Sequence, residues 1–134
     1  MAVSPALSRP SVQLTGRRIF VVEDEYFLAD DIDTTFRALG AEIAGPVGHI
    51  EDAFKILHDG SVLDAAVLDV NLRSDMIFPV ARELKARNVP FVFTTGYDKI
   101  SVGPEFQDVL VLEKPIDLAA MAQKLAGLIA DRGI

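Results

Sequence analysis

Five short, almost wholly apolar segments alternate with segments of helical periodicity along this chain of 134 residues. Strands that are apolar throughout, rather than alternating between apolar and polar residues, are typical of a parallel sheet covered by helices on both faces. The pattern therefore predicts an α/β fold with a doubly wound, five-stranded parallel sheet. The predicted strands are 18–22 (RIFVV), 41–47 (AEIAGPV), 64–69 (DAAVLD), 90–95 (PFVFTT) and 108–113 (DVLVLE).

The segments between these strands carry apolar residues at the spacing of amphipathic helices. In the first helix, Ile32 and Phe36 are expected to face the core, together with either Phe27 or Leu28. Asp117 is a suitable N-cap for the last helix. The predicted helices cover 25–39, 50–58, 76–86 and 118–130. Between the fourth and fifth strands, the pair Gly103-Pro104 interrupts the pattern, so a short or mobile fourth helix is expected there.

Composition excludes several classes of function. The net charge of −7 argues against a nucleic-acid partner, because phosphate binding requires a basic surface. The absence of cysteine excludes disulfides, thiolate metal sites and a cysteine nucleophile. The absence of cysteine also fits a reducing compartment, and we expect a cytoplasmic protein. No apolar run has the length of a membrane span, so no membrane partner is expected. Residues 1–16, with two prolines and no continuous apolar run, are expected to form a flexible lead-in to one domain over 17–134.

Charged and hydroxyl residues stand where four of the predicted strands end. Because the carboxyl ends of parallel strands meet at one edge of the sheet, and such sheets bind ligands there, these side chains are expected to share one crevice. They are Glu23, Asp24 and Glu25 after the first strand, Asp69 at the end of the third, Thr94 and Thr95 at the end of the fourth, and Lys114 after the fifth.

Carboxylates that share a crevice repel one another, so they require a cation or a raised pKa. Mg²⁺ suits an open site of this kind, because it binds through one or two carboxylates and keeps several waters. Asp24 and Asp69 are the expected direct ligands, and Glu23 is expected to act through a water. The backbone carbonyl of Asn71 could complete the contribution of the protein. Acidic residues at the start of the first helix could alternatively serve as caps that favour the helix dipole.

Lys114 adds a second function to this edge of the sheet. An aspartate can act as a nucleophile toward phosphorus and form an aspartyl-phosphate. The transferred phosphoryl group carries charge on three oxygens, which a metal ion, an ammonium and a hydroxyl can share. Asp69 is then the expected phosphoacceptor, while Lys114 and Thr95 stabilise the group it accepts.

The motifs VVEDE, VLDV and LEKP, together with the threonine that ends the fourth strand, resemble the receiver domain of two-component response regulators over residues 17 to 131. The resemblance implies a flavodoxin-like (βα)5 fold with strand order 2-1-3-4-5. It implies that Asp69 accepts a phosphoryl group from a histidine kinase or a phosphotransferase in a Mg²⁺-dependent reaction. Lys114 is then followed by a cis peptide bond to Pro115. Such a phosphoprotein assists its own phosphorylation and dephosphorylation but is otherwise not an enzyme.

A narrower resemblance lies in residues 93–97, FTTGY, which are similar to the Phe-Ala-Thr-Gly-Tyr signature of the FATGUY-type receivers. It implies a single-domain regulator of Alphaproteobacteria that works with a kinase of the HWE/HisKA2 type. Such a regulator controls a protein partner or competes for kinase phosphate. Val111 stands at the usual position of the switch aromatic, and Arg73 stands at the position of the usual proline. Thr95 and Tyr97 are therefore the expected switch residues.

Two other classes compete with this interpretation. An aspartate-nucleophile phosphatase of the haloacid dehalogenase type also uses Asp, Mg²⁺ and Lys on a parallel sheet. It would require an Asp-x-Asp motif after the first strand and a cap domain, whereas the second acid is replaced here by Asn71. An FMN-binding flavodoxin would require a Ser/Thr/Gly-rich loop after the first strand. The acidic segment 23–29, EDEYFLA, would instead repel a phosphate.

Overall fold

A computed structural model describes residues 13–72, 76–96 and 102–132. Its centre is a sheet of five parallel strands in the order β2-β1-β3-β4-β5. The strands are β1 (Arg18–Val22), β2 (Glu42–Val47), β3 (Ala65–Asp69), β4 (Phe91–Thr95) and β5 (Val111–Glu113). The predicted doubly wound sheet and its strand order are confirmed.

Four α-helices connect and cover the strands: α1 (Tyr26–Ala38), α2 (Ile50–Leu57), α3 (Phe78–Ala86) and α4 (Leu118–Arg132). The predicted N-cap is confirmed, because Oδ1 of Asp117 accepts a hydrogen bond from the Ala120 N–H at 3.0 Å. Within residues 102–110, the connection from β4 to β5 forms a 3-10 helix over Pro104–Phe106. Residues 97–101 of that connection lie outside the described residues.

The helices cover both faces of the sheet. Because successive strand residues point to opposite faces, each strand contributes to two cores. Phe20 of β1 packs in the core under α2 and α3, while Ile19 packs in the core under α1 and α4. All five residues of β3 are buried. This two-sided burial explains why the strands are apolar throughout.

Two details concern the beginning of the chain. Leu14, which was expected in the flexible lead-in, is instead fully buried in the core under α1 and α4, and its N–H donates to the carbonyl of Leu39 at 2.9 Å. Of the two alternatives in α1, Leu28 packs against the core, whereas Phe27 is 81% exposed. Residues 1–12 lie outside the described residues.

The strand register aligns the carboxyl ends at one edge of the sheet. Asp69 of β3 is paired with Thr94 of β4, and Thr95 of β4 is paired with Glu113 of β5. The residues that follow β1, β3, β4 and β5 are therefore neighbours in space. Across the described parts of the chain, no helix is long and apolar enough to cross a membrane.

Candidate functional site

Three acidic side chains converge at this edge. Glu23 and Asp24 follow β1, and Asp69 ends β3; each offers a carboxylate oxygen, and these oxygens lie within 4.8 Å of one another. The side chains of Glu23 and Asp69 are completely buried. Burying like charges together is unfavourable unless a proton or a cation compensates them.

The environment of Glu23 shows how strongly the negative charge of the site needs compensation. Burial, followed by the hydrogen bond and the charge of Asp69, raises the pKa of Glu23 from 4.5 to about 8. Its Oε2 accepts from the Glu25 N–H at 3.1 Å and from Nζ of Lys114 at 3.2 Å. Among the described residues, no group donates to its buried Oε1. Three clustered carboxylates that can act as metal ligands, one of them with an unsatisfied buried oxygen, fit a hard divalent cation such as Mg²⁺.

Lys114 supplies the positive charge of the site. Its Nζ lies 3.2 Å from Oδ2 of Asp69, 3.2 Å from Oε2 of Glu23 and 2.9 Å from Oε2 of Glu25. Burial lowers the pKa of Lys114, but the hydrogen bond to Glu25 and the charges of Asp69 and Glu23 outweigh it, so the net shift is upward. The Lys114 N–H donates to the carbonyl of Thr95 at 2.7 Å, and the bond to Pro115 is cis, as the resemblance implies.

Asn71 connects the ends of β3 and β4. Its N–H donates to Oδ1 of Asp69 at 2.7 Å. Its Oδ1 accepts from the Gly96 N–H at 2.8 Å and from the hydroxyl of Thr95 at 3.2 Å. The sequence suggested a contribution from the Asn71 carbonyl, but it gave no indication of these side-chain contacts.

The structure thus brings together most of the predicted site residues: Glu23, Asp24, Asp69, Asn71, Thr95 and Lys114. Thr94 is buried beside them, and its hydroxyl has no hydrogen-bond partner among the described residues. Val111, at the usual position of the switch aromatic, packs against the core under α2 and α3. Tyr97 and Arg73 lie outside the described residues.

Two neighbours of the site, Glu25 and Gly48, had no predicted role in metal binding or phosphoryl transfer. Glu25 was considered as a helix cap, and it does occupy the N-cap position of α1. Within the described part of the chain, however, its side chain makes no capping hydrogen bond and contacts Lys114 instead. Gly48 follows β2, and a Cβ there would lie 3.2 Å from Cα of Asp24. The glycine therefore allows the chain to pass close to the acidic cluster.

Comparisons with known proteins agree with this geometry. No protein-family model matches the chain, and no curated protein matches it either. Among solved structures, the solution structure of SdrG from Sphingomonas melonis Fr1 is 38% identical, with a TM-score of 0.73, over 90% of this chain and 99% of that chain. The BeF3-activated conformation of SdrG from Pseudomonas melonis Fr1 is 39% identical, with a TM-score of 0.67, over 84% and 95%.

Two more distant structures share the fold. A response regulator receiver protein from Sinorhizobium medicae WSM419 is 24% identical, with a TM-score of 0.74, over 90% of this chain and 99% of that chain. The response regulator TrrA from Thermotoga maritima, solved in complex with Mg²⁺-BeF, is 22% identical, with a TM-score of 0.69, over 84% and 98%. The 38% identity with SdrG and the order of the strands show that this chain belongs to the receiver domains of response regulators. These domains act in two-component signalling.

Proposed function

We propose that this chain is a single-domain response regulator that accepts a phosphoryl group on Asp69 from a histidine kinase or a phosphotransferase. The observation that carries the proposal is the placement of Nζ of Lys114 3.2 Å from Oδ2 of Asp69, beside the cluster of three acidic side chains. An ammonium and three clustered acidic side chains, among them Asp69, thus lie together at the carboxyl edge of a parallel sheet, where such sheets bind ligands.

The contacts of Asp69 assign different tasks to its two oxygens. Oδ1 is held by the Asn71 N–H, which fixes the orientation of the carboxylate. Oδ2 faces Lys114, so attack by this oxygen places the new phosphoryl group beside the ammonium. The O–P bond forms as the P–N bond of the donor phosphohistidine breaks, and the imidazole leaves with the bonding pair. Lys114 then neutralises part of the charge on the phosphoryl oxygens.

Mg²⁺ is the cofactor that we propose for this site. Asp24 and Asp69 would bind it directly, Glu23 through a water, and Asn71 through its backbone carbonyl. When bound, the ion supplies positive charge to the carboxylates and to the phosphoryl oxygens. The unsatisfied buried Oε1 of Glu23 and the similarity in fold to a receiver solved with Mg²⁺-BeF support this assignment.

The signal is proposed to pass through Thr95. Its hydroxyl donates to Asn71 in this structure and would turn to a phosphoryl oxygen once Asp69 is modified. Tyr97, two residues further on, is the proposed aromatic member of the switch. The motif FTTGY supports the narrower assignment to the FATGUY-type receivers of Alphaproteobacteria, with a kinase of the HWE/HisKA2 type and a cytoplasmic location. The output is then binding to a protein partner or competition for kinase phosphate.

An aspartate-nucleophile phosphatase remains the alternative, and one observation disfavours it. Such an enzyme uses a second acid two residues after its nucleophile. Asn71 occupies that position, and its side-chain oxygen accepts hydrogen bonds from Gly96 and Thr95. A carboxamide is far too weak an acid to protonate a leaving group. We therefore propose a phosphoacceptor rather than a catalyst with turnover.

The test is to add Mg²⁺ and beryllofluoride and to follow the backbone amide signals by NMR. The wild type is expected to respond in a Mg²⁺-dependent manner, and Asp69→Asn to give no response. Asp33→Asn, which removes one acid from α1 outside the site, is the control and should respond like the wild type. A wild type that fails to respond, or an Asp69→Asn variant that responds normally, would refute the proposal. Turnover of p-nitrophenyl phosphate that depends on Asp69 would favour the phosphatase.

A further inference from the structure

Resting on the proposed function, we propose that Glu25 is a positioning residue that holds Lys114 before phosphorylation and is displaced from it by the incoming phosphoryl group. Glu25 makes the shortest of the three contacts to Lys114, at 2.9 Å. It lies outside the cluster of Glu23, Asp24 and Asp69 that fits a metal ion. Its contact with Lys114 can therefore be lost while the metal ligands remain in place.

Lys114 has a limited number of hydrogen-bond donors. An ammonium group has three N–H donors and no acceptor. Three carboxylates surround Nζ, and each accepts a hydrogen bond from it: Asp69, Glu23 and Glu25. The capacity of the ammonium is thus fully used. A phosphoryl group on Oδ2 of Asp69 takes the place of one of these acceptors, so a second phosphoryl oxygen can bind Lys114 only when Glu23 or Glu25 withdraws.

The three carboxylates differ in how freely they can withdraw from Lys114. The side chains of Asp69 and Glu23 are completely buried, whereas that of Glu25 is 59% exposed. Asp69 carries the phosphoryl group, and Glu23 is held by the Glu25 N–H at 3.1 Å. Glu25 can turn into water without disturbing the core, because an exposed carboxylate is readily solvated.

The contact between Glu25 and Lys114 opposes binding of the phosphoryl group. The ion pair between Glu25 and Lys114 has to be broken before Lys114 can pair with a second phosphoryl oxygen. The free energy of this ion pair therefore weakens the binding of any phosphoryl mimic. Removing the contact should increase that affinity, whereas removing a residue that merely supports the site would decrease it.

The experiment measures the affinity for beryllofluoride at saturating Mg²⁺ by calorimetric titration of the full chain. Glu25→Gln removes the charge, and Glu25→Asp keeps the charge but shortens the side chain so that it no longer reaches Lys114. Both variants are expected to bind about three- to five-fold more tightly than the wild type. Asp33→Asn is the matched control: its partner Arg37 lies at the same 2.9 Å, and the charge change is identical. Its affinity should stay within about two-fold of the wild type.

The outcomes separate the inference from the function on which it rests. Equal or weaker binding by Glu25→Gln, with an unchanged urea midpoint, would overturn the role of Glu25 while leaving the receiver function intact. Tighter binding by Glu25→Gln but not by Glu25→Asp would also overturn it, because net charge rather than the contact would then be responsible. A wild type that binds no beryllofluoride with Mg²⁺ would overturn the proposed function itself.

Discussion

The acidic site and an aromatic cluster lie side by side on β4, and they are built on opposite physical principles. We define the aromatic cluster as Phe78, Phe91, Phe93 and Phe106. In it, Phe106 of the 3-10 helix meets Phe93 edge-on at 5.4 Å between ring centroids and stacks on Phe78 at 5.7 Å. In the acidic site, by contrast, two completely buried carboxylates share a single ammonium.

The comparison shows how one strand supports both stability and signalling. The aromatic cluster anchors the 3-10 helix to α3, and surface contacts reinforce it. Arg82 makes paired hydrogen bonds to Glu105, and Nζ of Lys85 lies 5.7 Å above the ring of Phe106. The acidic site holds like charges close together, and binding of a cation or a phosphoryl group can change the balance of charge there. A ligand can therefore alter the site while the packed cluster beside it keeps β4 in place.

The largest expected effect on stability comes from breaking the aromatic cluster. Phe106→Ala should lower the free energy of unfolding by about 3 kcal/mol, because Phe106 is only 1% exposed and its removal leaves a cavity. Urea denaturation measures the change. Phe27→Ala is the matched control, since Phe27 is 81% exposed and its loss should cost less than about 0.5 kcal/mol. Similar costs for the two substitutions would contradict the anchoring role of the cluster.

The acidic site predicts a dependence of stability on pH. The pKa of Glu23 is raised from 4.5 to about 8, so between these values the folded protein keeps a proton that the unfolded chain has lost. The stabilising contribution of this proton is complete below pH 4.5 and is lost as the pH rises through 8. Without Mg²⁺, the contribution of Glu23 to the free energy of unfolding should thus fall by on the order of 2 kcal/mol across this range.

Glu23→Gln tests the origin of that slope. The variant cannot ionise at this position, so its stability should change much less between pH 5.5 and pH 8.5 in urea denaturation. Asp33→Asn should keep the slope of the wild type, since Asp33 lies outside the site. An equally steep slope in Glu23→Gln would place the dependence on other groups.

The smallest expected effect concerns the connection between the two strand ends. Asn71→Ala removes the acceptor of the Gly96 N–H and of the Thr95 hydroxyl. The amide of Gly96 should exchange its hydrogen about five- to ten-fold faster, which corresponds to about 1 kcal/mol for one hydrogen bond. Amides within the aromatic cluster should be unaffected. Unchanged exchange at Gly96 would show that the Asn71 side chain does not hold this end of β4.

The sequence predicted the fold well, because its main signals are local. The uniform burial of β3 and the periodicity of α1 follow from patterns within a few residues, and both predictions are confirmed. The predicted lead-in over residues 1–16 extends too far, because an isolated apolar residue such as Leu14 carries no periodic signal. Its burial depends on the position of α1 and α4. The acids that follow β1 and β3 were predicted as neighbours, since strand ends in a parallel sheet share one edge.

The alternation of strands and helices and the set of chemical groups at the strand ends can be read from the sequence. Which of these groups become partners depends on the folded chain. Lys114 lies 89 positions from Glu25, and Asn71 lies 25 positions from Gly96. Such contacts depend on side chains brought together by the sheet register and on how deeply each one is buried. A third acid after β1 is a possible helix cap in the sequence, but in the folded protein its carboxylate binds the lysine of the site.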